Sequence, residues 1–121
     1  MESDKIVLLD TNFILTCLKQ KIDFVEEIYF RGFKILIPKQ VIEELKILEK
    51  RRYNYAGFAL KLIKEKKFKK VDLKDKKTDR AILKFATNNK SAIIATLDKE
   101  LKENIENRKM VIRSKKKLEI I

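Results

Sequence analysis

No histidine occurs anywhere in the 121 residues. Its absence removes imidazole acid–base catalysis, Ser-His-Asp and Cys-His nucleophiles, and the usual zinc sites. Any metal chemistry must then rest on oxygen ligands, which suit Mg²⁺ or Mn²⁺. Cysteine is almost as scarce. Cys17 stands alone in an apolar stretch, so no intrachain disulfide can form, and it reads as a small buried residue. A reduced, cytoplasmic protein is expected. With two glycines, one proline and no linker or internal repeat, residues 1–121 read as one domain. No apolar run approaches the ~20 residues of a membrane span. The start, Met1-Glu2-Ser3-Asp4-Lys5, lacks the basic region of a signal peptide, so no membrane partner is expected.

Positive charge is what the chain has in plenty. Lys and Arg total 30 against 18 acids, a formal net charge of +12. A small, strongly basic domain points to a polyanionic partner, nucleic acid above all. The plain alternative is a lysine-rich coding habit with solvated charged faces. Two runs, residues 64–70 and 113–117, concentrate the charge. They read as solvated faces or as phosphate contacts.

The apolar pattern alternates short runs with helical stripes. Ile6-Val7-Leu8-Leu9 reads as a strand buried on both faces. Residues 12–18 and 22–30 follow as helical pieces, with Gly32 ending the second. Residues 34–37 form the next buried strand, and Pro38 suits the first turn of a helix over 39–50. A helix over 53–66 has its middle weakened by Gly57, and carries Tyr55, Phe58, Ala59, Leu62 and Ile63 as apolar positions. Then come a short strand over 68–73, a helix over 76–88, a strand over 92–95, a helix over 99–106, a strand over 110–112 and an edge over 118–121. Strand and helix alternating at this spacing predict an α/β fold with a mostly parallel sheet covered by helices on both faces.

Four acids interrupt this pattern. Asp10 ends the first strand, where α/β sheets of this kind bind their ligands. Asp98 repeats the arrangement after Ala92–Ala95. Each taken alone reads equally well as a helix N-cap. Asp79 lies three, four and seven residues before Ile82, Leu83 and Ala86, which places it along the stripe facing the core. A carboxylate there is costly unless paired, hydrogen-bonded or metal-bound. The alternative is a first-turn acid favoured by the helix dipole, with Asp75 or Thr78 as cap. In the Glu43-Glu44 pair, Glu43 falls opposite the stripe of Val41, Ile42, Leu45 and Leu48, and Glu44 at its edge, able to face a cleft. Clustered carboxylates raise one another's pKa values. A hard divalent cation is the natural counter-charge. In a basic protein, such a pocket suits cleavage of a phosphodiester, the cation activating water and offsetting the developing charge.

Asp10-Thr11-Asn12, Val41-Ile42-Glu43-Glu44-Leu45, Thr78-Asp79-Arg80-Ala81-Ile82 and Thr96-Leu97-Asp98-Lys99-Glu100-Leu101 together resemble the PIN-domain family of metal-dependent ribonucleases. Each motif is weak alone; four in order, spanning nearly the whole chain, are fairly specific. The closing run, residues 110–118, is similar to archaeal-type members, including ones related to ribosomal-RNA-processing nucleases. The resemblance implies a three-layer α/β/α fold and a site of Asp10, Glu44, Asp79 and Asp98. In it Asp10, Asp79 and Asp98 would hold Mg²⁺ or Mn²⁺, with Asn12 and Thr96 in support. It also implies RNA as substrate, and homodimers are common in the family. Lys46, Arg80 and Lys99 are the cations placed to contact flanking phosphates. Rival readings are a ribonuclease toxin with a small antitoxin, and a non-catalytic RNA-binding module working with ribosome-assembly factors. A CheY-like receiver fits less well, because adjacent acids after the first strand are missing.

Overall fold

The computed structural model describes residues 5–66, 68–114 and 116–121. The charge runs over 64–70 and 113–117 therefore lie in part, at Lys67 and Lys115, outside the described residues.

The chain opens with β1 (Ile6–Leu9), whose side chains are at most 3% exposed. Alternation sends them to opposite faces. Val7 and Leu9 join the core under one helical layer, and Ile6 and Leu8 the core under the other. Burial of each such side chain contributes about 1.5–3 kcal/mol, which is why this strand sits in the centre of the sheet. Around it run α1 (Thr11–Lys19), α2 (Phe24–Phe30), β2 (Lys34–Pro38), α3 (Lys39–Lys50), α4 (Ala56–Lys66), β3 (Lys69–Val71), α5 (Thr78–Asn88), β4 (Ile93–Ala95), α6 (Lys99–Glu103), β5 (Lys109–Arg113) and β6 (Lys117–Ile120). The sheet order is β3-β2-β1-β4-β5-β6. The first five strands are parallel, and β6 returns antiparallel to β5. One core packs residues of α1 to α4 on the sheet, and the other packs α5 and α6 on its opposite face. This is the expected three-layer α/β/α arrangement.

The topology fixes where a ligand can enter. From β1 the chain moves outward through β2 to β3, then crosses back to lay β4 on the other side of β1. Between β1 and β4 the direction of winding reverses, and the crevice of such sheets forms at that point. The register pairs Leu9 with Ala95. Asp10 and Thr96, the next residues, therefore meet at the rim.

Several boundaries differ from the sequence expectation, for local reasons. The end of α2 is as expected: Gly32 has φ +85°, and the amides of Gly32 and Phe33 donate to Tyr29 O and Ile28 O, a Schellman end that favours glycine. The ends of α1 and α3 have the same bonds around Lys21 and Arg52, both at left-handed φ. Tyr55 is left-handed too, so α4 starts at Ala56 and not at residue 53. Gly57 accordingly lies in the first turn of α4 and not in its middle. A Cβ there would meet Glu49 Oε2 at 3.1 Å. Helix α6 stops at Glu103, short of residue 106, because Asn107 is buried and clamps Asn89 O and Ala92 O. Phe58 is 68% exposed and not part of the core, its ring resting near Tyr55. Cys17 is fully buried, and burial, with the charge of Glu27, pushes its thiol up to about 12. Among the described residues no helix is long and apolar enough to cross a membrane.

Candidate active site

Asp10 is the centre of the rim. Its amide continues the β1–β4 ladder by donating to Ala95 O at 2.9 Å. Its backbone is extended, at φ −91° and ψ 159°, and it precedes the first turn of α1. Its carboxylate is buried. Oδ1 accepts from Thr11 N and Oδ2 from the Thr96 hydroxyl, each at 2.8 Å. A standard N-cap accepts from the second or third amide of the helix; Asp10 reaches only the first. The cap reading thus describes its backbone position, while its outer oxygen is held by the neighbouring strand.

Asp98 does follow the standard pattern. It caps α6, Oδ1 accepting from Leu101 N at 3.1 Å. The Thr96 hydroxyl joins the two turns, since it donates to Asp10 and accepts from Asp98 N at 3.1 Å. On the other side, the Thr11 hydroxyl donates to Glu44 Oε1. Glu44 is half-buried on α3, whereas Glu43 faces solvent and pairs with Lys46 at 3.4 Å. The expected split of the two glutamates is observed. Among the described residues no buried side-chain polar atom lacks a hydrogen-bond partner.

Of its two readings, Asp79 follows the second, the first-turn acid. It is exposed, on the first turn of α5, although the stripe it belongs to is buried at Ile82 and Ala86. The helix starts beyond the end of the sheet, so the stripe that faces the core further on faces the crevice at its beginning. Lys77 takes the cap position and supplies no capping side chain. Asp79 borders two hollows. One is an open groove of about 900 Å³, reaching along α3 past Lys39, Gln40 and Glu44; the other, about 170 Å³, lies against Asp98 and Leu101.

Electrostatics ties these acids together. Burial is the main cause that raises the pKa of Asp10; the charges of Asp79 and Glu44 add to it, and the bonds from Thr96 and Thr11 pull the other way. The two charged groups named among these causes, Asp79 and Glu44, are both acidic. As they stand, no three acids among the described residues are drawn close enough to enclose a metal ion. The donor set is nevertheless all oxygen, with three acids acting on one another, and that chemistry fits a hard divalent cation.

The structure locates the expected cations less favourably. Arg80 is committed to Asp75, with Nε to Oδ2 at 2.7 Å and Nη2 to Oδ1 at 2.9 Å. Lys46 borders a separate groove along α3 and α4, not the one beside Glu44. Lys99 and Asn12 are exposed, on the first turns of α6 and α1. Sequence reasoning passes over Asp75 as anything but a possible cap, and misses Gln40. Gln40 ties the segment after β3 to α3: its Nε2 donates to Asp75 O at 2.8 Å, and its Oε1 accepts from Leu73 N at 3.4 Å. A glutamine on a helix's first turn carries no signal of such a long-range bond.

Comparison with known proteins agrees with this geometry. Residues 7–117 match the family model described as a PIN-like domain. The chain is 38% identical to ribonuclease VapC4 of Methanocaldococcus jannaschii, over 94% of this chain and 95% of that protein. It is 35% identical to the rRNA-processing protein fcf1 of Schizosaccharomyces pombe over 82% of this chain, and spans about half (52%) of that protein's length. The solved structure of the PIN domain endonuclease Utp24 superposes with a TM-score of 0.81 at 28% identity, covering 99% of this chain and 94% of that one. The chain belongs to the PIN-like domain family.

Proposed function

We propose that residues 1–121 form one nuclease unit, a metal-dependent ribonuclease that hydrolyses phosphodiester bonds of RNA in ribosomal-RNA processing. The observation that carries this reading is Asp10: a carboxylate buried at the switch point of the sheet, with the charges of Asp79 and Glu44 acting on it. Asp10, Asp79 and Asp98 are the residues that would hold Mg²⁺ or Mn²⁺. Bound there, the ion supplies Lewis acidity and lowers the pKa of water. The chain's own groups do the rest. Thr96 fixes Asp10 Oδ2 and the amide of Asp98, which orients both turns toward the crevice. Outer hydrogen bonds of this kind commonly change metal affinity or activity roughly 10–100-fold. Glu44, held by Thr11, faces the open groove, where it orients the attacking water. The basic surface draws in the phosphate backbone.

A second reading keeps the chemistry and adds a small silencing partner, as in a toxin–antitoxin pair. Phe58, 68% exposed, lines a hollow with Leu18, Tyr55 and Leu62, and a contiguous apolar patch of this kind favours it. Recovery of the tagged protein with a small acidic companion would select it.

The experiment is cleavage of single-stranded RNA by wild type and Asp79→Asn, side by side, with Mn²⁺ and with chelator. Cutting by wild type alone, and only with Mn²⁺, supports the nuclease. RNA binding that persists unchanged in chelator, with no cutting by either protein, selects a binding module instead.

A further inference from the structure

The charges around the crevice are unevenly placed. The groove beside Glu44 is balanced: its five cations, Lys39, Lys77 and Arg80 among them, are matched by five acids, Glu44 and Asp79 among them. A balanced groove has little net pull on a polyanion. The excess lies next door. A second groove, about 670 Å³, runs along α3, α4 and β3 and is lined by Lys46, Lys50, Lys64 and Lys70 against Glu43 and Glu49. Lys46 is held by Glu43, an exposed pair that water screens. Lys50, Lys64 and Lys70 form no ion pair among the described residues. Three separate elements thus aim four like charges into one hollow, an arrangement that opposes folding through repulsion. Nothing in the packing requires it.

The two grooves adjoin. Glu43 and Ile47 line both. Ile47 is 52% exposed, an apolar side chain on the outer face of α3 where the stripe has already been satisfied by Val41 and Leu45. An apolar ridge between a catalytic groove and a cationic one suits a nucleotide strand, whose riboses and bases are apolar in part and whose phosphates are not.

We infer that the groove of Lys46, Lys50, Lys64 and Lys70 is a distal grip for single-stranded RNA, which crosses Ile47 to reach the acids. This rests on the ribonuclease reading of the acidic site. It assigns a role to Lys46 that differs from a contact beside the scissile phosphate: the grip holds a flanking segment, and serves cutting only of strands long enough to span both grooves.

The test measures equilibrium binding of oligouridylates in chelator, where no cutting occurs, across a salt series. Wild type is compared with Lys50→Ala/Lys64→Ala and with Lys5→Ala/Lys19→Ala. The second pair is exposed at the opposite end of the sheet, beside the start of β1 and at the end of α1. For a long oligouridylate the slope of log K against log salt should flatten by about 0.7 for each phosphate that a lysine no longer neutralises, hence about 1.4 for the grip pair. The control pair should leave it unchanged. A strand too short to span both grooves should still settle in the cationic one and show flattening in the grip pair alone. Equal flattening by both pairs, or none by either, overturns the grip and returns the charge to composition; so does an absence of binding by wild type. Cleavage with Mn²⁺ then separates the two readings. Cutting by wild type with unchanged slopes in the grip pair overturns the grip and keeps the nuclease. Flattening confined to the grip pair, with no cutting by wild type, keeps the grip and overturns the nuclease.

Discussion

Asp10 and Asp75 are the same residue type in two loops of one molecule, and their surroundings push them in opposite directions. Both side chains are well covered: Asp10 is 6% exposed overall and the Asp75 side chain 4%. Asp75 receives both arms of Arg80, the amide of Lys77, and Lys84 at 3.1 Å. The Arg80 bond above all holds it well below the usual carboxylate range. Asp10 receives only two neutral donors, and burial with two nearby acids raises it. A chain with 30 basic residues thus provides cations for the acid after β3 and keeps them from the one after β1. The acid beside the cations has a structural role, and the acid whose charged neighbours are acidic is the one proposed to take a metal ion.

The strongest way to break this comparison is Asp10→Asn. Asparagine keeps an acceptor for Thr11 N, and the Thr96 hydroxyl can turn to accept from the new amide, so the fold should survive. Cleavage should drop to background in the RNA assay, while the thermal midpoint at neutral pH should rise. Excess Mn²⁺ should stabilise wild type by about 2.7 kcal/mol at about 100 times its dissociation constant and leave the variant unmoved. Equal stabilisation of both would sink the assignment of Asp10 as a ligand.

Thr96→Val comes next. It removes the hydroxyl that joins the two turns, and activity should fall roughly 10–100-fold, with a higher Mn²⁺ requirement in a metal titration. Unchanged kinetics would leave Thr96 a packing residue. Asp75→Asn should do the reverse of the first variant: a lower thermal midpoint at neutral pH by a few degrees, with cleavage near wild type. A dead but stable Asp75→Asn would erase the distinction.

The smallest effect is in the pH dependence. A lowered pKa in the folded state stabilises above the ordinary carboxylate pKa, and that stability is lost as pH falls below it. Asp75 therefore makes the protein weaker on acidification. A raised pKa works oppositely: Asp10 adds a cost that appears as pH climbs from the ordinary value through its folded one. Thermal melts from acid to neutral pH should show Asp75→Asn with a shallower gain than wild type, and Asp10→Asn with a steeper one.

Much of this site was legible from residue order. Apolar runs ending in Asp10 and Thr96-Leu97-Asp98 marked two strands of one parallel sheet, and helical geometry separated Glu44 from Glu43. Periodicity tells which face a residue occupies, not how far along the axis the partner layer extends. For that reason Asp79 read both as core-facing and as a first-turn acid, and the structure shows the exposed first-turn position. The ends of α1 and α3, expected at residues 18 and 50 and observed at Lys19 and Lys50, were legible from where the apolar stripes stop, although the left-handed positions that follow, Lys21 and Arg52, carry no glycine. Asp75 and Gln40 act through contacts made only after folding, between a loop and a distant helix, and no local pattern encodes them.

Cys17 offers one more consequence. Fully buried and with its thiol pushed up to about 12, it is shielded twice from electrophiles, by access and by lack of thiolate. As the sole sulfhydryl of the chain, it is a built-in clock: a thiol-reactive dye can register only those moments when α1 parts from the sheet. Its labelling rate, with and without RNA, would report how tightly the layer that bears Asp10's helix is shut.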